Sequence, residues 1–241
     1  MARILGQLSS GGELEPGATR LCAVCASVAG MTGAGIMLMS ESVPRGSVGS
    51  TDEVSRAIEE LQYTLGEGPS IDAHKLGSPV VEADLADDRH SRWTAFTPLA
   101  LAAGARAVFG FPLVIGAVRV GVLNFYRDRA GPLVGGHHAD ALVAADVAAR
   151  AVLAMQANAS PGQIVSELES GLTLHSVVHQ ASGMVAAQLD VHIHEALLRL
   201  RARAFAEGRP LTEIAGDVVA RRLRLHHGPD PADEPGGGPT K

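Results

Sequence analysis

Residues 105–127, ARAVFGFPLVIGAVRVGVLNFYR, decide the fold. Two runs rich in β-branched and aromatic residues, Ala107 to Val114 and Val118 to Arg127, are separated only by Ile115, Gly116 and Ala117, a spacing typical of an antiparallel hairpin. The most apolar run, Ala105 to Val118, is broken by Arg106, Gly110, Pro112 and Gly116, whereas a membrane span needs about 18 to 20 uninterrupted apolar residues. These strands therefore belong to a folded sheet.

Working outward, Ala34 to Met39 is a short apolar strand, with Gly46 to Thr51 as its partner across a polar turn and Pro79 to Glu82 as a brief third piece. Ala18, Leu21, Cys22, Cys25, Val28 and Ala29 recur at three- and four-residue spacings, which predicts an opening helix over 17–30 ended by Gly30 and Gly33. Thr51 or Asp52 caps a helix over 53–65. The segment 65–73, LGEGPSIDA, reads as a loop, and a helix follows over 93–103. Gly131 and Pro132 stop the sheet, and an Ala- and Val-rich helix spans 137–157 with a stripe of Leu142, Ala145, Ala149, Val152 and Leu153. This order predicts an α+β domain over 15–158: an antiparallel sheet with its helices on one side.

Asn158 to Gly162 breaks the pattern, and Pro161 beside Gly162 marks a domain boundary. Beyond it every element is helical. A short amphipathic piece covers 163–169, and Leu174, Val177, Val178, Ala181, Met184, Val185 and Gln188 follow a helical stripe. A run from about His194 to Ala206 comes next, and Leu211, Ile214, Ala215, Val218, Val219 and Leu223 define a last helix. The short helices would not be stable alone, so an all-α three-helix module over 163–225 is expected. The tail 226–241 has no apolar residue larger than Ala or Pro and is expected to be disordered.

The net charge of −6 disfavours non-specific binding to nucleic acid, but the charge is unevenly placed. All seven basic residues of 163–225 lie at or after Arg199, where they face only Glu207, Glu213 and Asp217, a local charge of +4. No nucleophile elbow, phosphate-binding loop or HExxH is present, so catalysis has no visible seat. Cys22 and Cys25 form one CxxC at helical spacing, without a second pair at zinc-site distance, which favours buried thiols over a redox or metal pair. His175 and His179 share a helix face but lack the carboxylate or thiol partners that a metal site needs. Neither a cofactor nor a metal is expected. The start lacks the long apolar core of a secretory signal, and a cytoplasmic protein is expected.

Six of the eight aromatic residues fall within 34 positions. Trp93, Phe96, Phe109, Phe111 and Tyr126 are candidates for lining a small apolar pocket over the sheet; an ordinary core is the competing reading.

LQYTLGEGPSIDA, PVVEADL, RWTAF, RAVFGFPL and VGVLNFY, in that order, resemble the landmarks of GAF domains from actinobacterial regulators. HQASGMVAAQ, EALLRLRARAF and GRPLTEIAGDVV resemble the ANTAR module fused behind such sensors. The resemblance spans roughly residues 15–225. It implies a sheet domain that senses a small molecule or a protein. It also implies a homodimeric antiterminator whose helical half binds tandem RNA stem-loops through their loop bases. Ala181, Gly183, Ala196, Ala204 and Ala215 match the small positions where ANTAR helices approach closely. Two departures matter: Ser182 stands where a basic residue is usual, and Ser70 stands where the GAF loop often carries Cys. The candidate RNA contacts are His179, Ser182, Arg199, Arg203, Arg209, Arg221 and Arg222, the arginines being those of the basic stretch from residue 199 onward. A scaffold that dimerises but has lost RNA affinity is the alternative.

Overall fold

The computed structural model describes residues 17–40, 43–87, 92–158 and 163–226, with side chains except those of 43 and 156–175. The chain forms two compact units, Met1–Leu172 and Thr173–Lys241. The boundary expected at Pro161 and the tail expected beyond 226 lie outside the described residues. A helix runs unbroken over Gln163–Leu189, so the separate short piece expected over 163–169 is its first two turns.

In the first unit, α1 (Gly17–Ala29), β1 (Gly33–Ser40), β2 (Val43–Ser50), α2 (Glu53–Leu65), α3 (Pro69–Leu76), β3 (Val80–Glu82), α4 (Phe96–Ala103), β4 (Ala107–Ile115), β5 (Val118–Arg127) and α5 (His137–Asn158) follow in order. The five strands form one antiparallel sheet in the order β2-β1-β5-β4-β3. The hairpin of β4 and β5 closes at Gly116 and Ala117, with Ile115 opposite Val118 and Gly116 at a φ of +62°, where a side chain would be strained.

Helices cover both faces of the sheet, which corrects the one-sided arrangement expected from sequence. On one face α1 and α5 bury Leu21, Cys22, Cys25, Ala141, Ala145, Ala148 and Val152 against Ile36, Phe109, Phe111, Leu123 and Phe125. Both thiols are buried, and burial pushes the Cys25 thiol up to about 12. On the other face sit α2 and α3. A Cβ on Gly35 would come within 2.9 Å of Glu59 of α2, and one on Gly110 within 2.7 Å of the Pro69 carbonyl of α3. The expected stripe of α5 divides accordingly: Ala145, Ala149 and Val152 are buried, while Leu142 and Leu153 face outward.

The segment read as the loop 65–73 is a second correction. Gly66 caps α2 in the left-handed conformation, Gly68 turns the chain at a φ of 128°, and Pro69 begins a helix. Proline at a first helical position costs no hydrogen bond because that N–H has no intrahelical partner. Two glycines and a proline therefore mark a junction between helices here.

The second unit contains the rest of α6 (Gln163–Leu189), then α7 (Ile193–Glu207) and α8 (Leu211–Val219). Val178, Ala181, Val185, Leu189, Ala196, Leu197, Leu200, Ala204, Leu211, Ile214, Ala215 and Val218 are buried. The four alanines at the small positions lie in this core. Gly183 does not: it is exposed, and a Cβ there would meet nothing within 4 Å. α8 ends at Val219, before the expected Leu223, because the Arg222 and Leu223 N–H groups both turn back to the Asp217 carbonyl, at 2.8 and 3.1 Å. No described helix is long and apolar enough to cross a membrane.

Candidate functional site

Strand alternation separates the aromatic residues grouped from sequence. Phe109 and Phe111 point away from Gly110, into the core under α1 and α5, where Phe111 packs edge-on to Phe125 at 5.8 Å. Val108 and Tyr126 pair across β4 and β5 on the opposite face. The five residues therefore do not line one pocket, and Phe109 and Phe111 are core. Trp93 and Phe96 do meet, ring to ring at 5.8 Å. The Trp93 indole N–H donates to Asp72 at 3.0 Å, with Arg92 over the ring. The Tyr126 hydroxyl donates to Asp52 at 3.1 Å, and burial together with that carboxylate pushes the phenol up to about 12. Asp52, rather than Thr51, caps α2 through a capping box with Ser55.

Under α2 and α3 the first unit carries a polar cluster that the sequence reading passed over. Asn124 of β5 lies between Gly35 of β1 and Gly110 of β4, so its side chain has a glycine on either side, where Glu59 and Pro69 approach the sheet. Glu59 descends over Gly35, and its Oε1 accepts from the Asn124 amide at 2.5 Å. The Ser70 hydroxyl donates to Asn124 Oδ1 at 2.5 Å, and the Ser70 N–H donates to Gln62 Oε1 at 2.6 Å. Glu59 and Gln62 stand three residues apart on one face of α2, so both ends of this chain of contacts start from the same helix. Burial pushes the Glu59 carboxyl up to about 8, against the hydrogen bonds from Asn124 and Ser47. Glu59 Oε2, Gln62 Nε2 and His74 Nδ1 are buried without a hydrogen-bond partner. Asn124 inside an apolar strand was the visible signal. Glu67 stands outside this cluster and accepts from the N–H groups of Ala95 and Phe96, both at 2.7 Å, so it holds the start of α4.

In the second unit six of the seven arginines divide into two groups. Arg199 pairs with Glu195 at 3.0 Å, and Arg203 pairs with Glu207. Arg209 reaches Glu207 at 3.0 Å, Glu213 at 3.4 Å and Asp217 at 2.7 Å; Asp217 also holds Arg222 at 2.7 Å. This network ties the end of α7 to α8. Hydrogen bonds from Arg209 and Arg222 hold the Asp217 carboxyl below the usual range. Arg221 and Arg224 are exposed and form no ion pair with a described residue. Arg221 has a φ of +59°, a conformation that side chains with a Cβ rarely adopt.

Ser182 is only 3% exposed, and its hydroxyl donates to the Val178 carbonyl at 2.7 Å. It is a core residue, which does not suit the contact with RNA expected of it: a short hydroxyl on the inner helix face bonds back to its own helix. His179 is half-buried, and the side chain of His175 lies outside those described. Among the described residues, no three His, Cys, Asp or Glu side chains come together as a metal site.

No protein-family model and no curated protein matches the chain. Among solved structures it is similar to the GAF domain of a phosphoenolpyruvate-protein phosphotransferase from Coxiella burnetii, with 12% identity, a TM-score of 0.49, and coverage of 65% of this chain and 92% of that one. It is similar to the corresponding GAF domain from Acinetobacter, with 13% identity, a TM-score of 0.47 and the same two coverages. A domain of a sensor histidine kinase from Sinorhizobium meliloti shows 20% identity, a TM-score of 0.46, and coverage of 61% of this chain and 95% of that one.

Proposed function

We propose that this chain is a transcription antitermination regulator, with a GAF-type sensor as its first unit and an ANTAR-type RNA-binding module as its second. The observation that carries the reading is the three-helix second unit, whose α8 terminus presents Arg221 and Arg224 to solvent beside a neutralised Arg–carboxylate network. Two exposed guanidinium groups at one helix end suit the phosphates of a structured RNA. The sheet domain supplies the sensing half, and the outward Leu142 and Leu153 of α5 supply an apolar face for pairing with a second copy. An effector acts only by favouring one arrangement of the dimer over another.

In vitro transcription tests the proposal. The template carries a terminator whose 5′ arm overlaps the second of two tandem stem-loops. Added protein is expected to raise read-through, and Arg221→Ala with Arg224→Ala is expected to abolish the rise. Unchanged read-through with the unaltered chain at saturating concentration would overturn the proposal.

A further inference from the structure

Phe205 is the one aromatic residue that the sequence places after Tyr126, and it is 76% exposed on α7. A phenyl ring in water is normally drawn into a core, and this module has one only a residue away, at Ala204. The positions around Phe205 on the helix surface are Ala202 at i−3, Arg201 at i−4, Leu198 at i−7 and Ala206 beside it. Ala202, Leu198 and Ala206 are exposed too. The two alanines project too little to cover the ring, so its face is accessible. Arg201 lies one turn before it, and Arg209 follows the end of the helix, anchored to Glu207 and Asp217.

An exposed aromatic face among small residues, within the stretch from Arg199 that carries seven basic residues against three acidic ones, has the chemistry of a base-stacking platform. We infer that Phe205 stacks on an unpaired RNA base, a loop nucleotide of a stem-loop whose phosphates the unpaired arginines of the same stretch attract. Charge selects this occupant: the stretch carries a formal excess of +4, in which Arg221 and Arg224 form no ion pair with a described residue, and a polyanion gains from it where an apolar protein partner does not. The inference rests on the RNA-binding reading above and adds a specific residue and contact to it.

The test uses the full chain and an RNA with two stem-loops carrying 2-aminopurine at single loop positions. With the unaltered protein, fluorescence at one loop position is expected to be quenched on saturable binding. Phe205→Leu keeps an apolar side chain but removes the π-face. It is expected to weaken binding about ten-fold or more and to abolish the quenching, while the slope of affinity against salt stays unchanged because no charge is lost. Phe205→Tyr is expected to restore both. Folding of each variant is checked by its melting temperature, which a change at an exposed side chain leaves in place. If RNA binds saturably but Phe205→Leu binds and quenches as the parent does, the stacking inference is wrong and the RNA reading stands. If no RNA binds and Phe205→Leu instead converts a dimer to a monomer, both are wrong, and the face joins two copies of the chain.

Discussion

Glu59 carries a carboxyl that is fully buried, and the groups that act on it are the Asn124 amide and Ser47. A carboxyl pushed from 4.5 to about 8 holds its proton in the folded chain at neutral pH, while the unfolded chain has lost it. The folded state then binds more protons between those two values. Stability from this group is therefore full below about pH 4.5, declines through the interval by ~1.4 kcal/mol per pH unit, and levels off above about pH 8. Burial moves His74 of α3 downward, so it acts with the opposite sign on the acid side. Chemical denaturation of the parent and Glu59→Gln over pH 4–9 separates the two, and the difference between them is expected to grow with pH and then flatten. A constant difference would show that Glu59 is ionised in the fold. Arg221 gives a second prediction at this scale. Its left-handed backbone costs about 1 kcal/mol relative to glycine, so Arg221→Gly is expected to raise the melting temperature while lowering RNA affinity. Loss of both stability and affinity would contradict it.

At the level of elements, α3 and α4 owe their positions to side chains outside themselves. Glu67 caps the start of α4 from the preceding junction, and Glu67→Ala is expected to destabilise the first unit by about 1 kcal/mol in denaturant titration; no change would mean that water replaces the carboxylate. The strands and most helix limits were legible in the sequence because Val- and Phe-rich runs alternate with turn residues, and α1 and α5 show three- and four-residue spacing. α3 was not legible: its eight residues show no strong stripe, and Gly66, Gly68 and Pro69 all resemble loop signals until the contact with Gly110 is known. The aromatic grouping failed for a related reason. Proximity in sequence does not say which face of a strand a ring occupies, and Phe109 differs from Val108 in that respect by one residue. Ser182 was misplaced because resemblance gave a position in a motif, while burial depends on the helix face.

The second unit, taken as a whole, has two kinds of arginine, and charge totals could not tell them apart. Those joined to Glu195, Glu207, Glu213 and Asp217 are held in ion pairs, and Arg209 among them binds the end of α7 to α8, so Arg209→Ala is expected to lower the melting temperature most at low salt, where such pairs are least screened. Equal melting of the two chains in low salt would remove Arg209 from that role. Arg221 and Arg224 remain for a partner. The most direct test is fluorescence anisotropy of the full chain with a tandem stem-loop RNA over a salt series, with a perfect duplex of equal length as competitor. The account predicts saturable binding that weakens linearly in log salt, that resists the duplex, and whose slope falls by about 1 to 2 when Arg221 and Arg224 are both replaced by Ala. Absence of saturable binding at low salt, or complete displacement by the duplex, would contradict it.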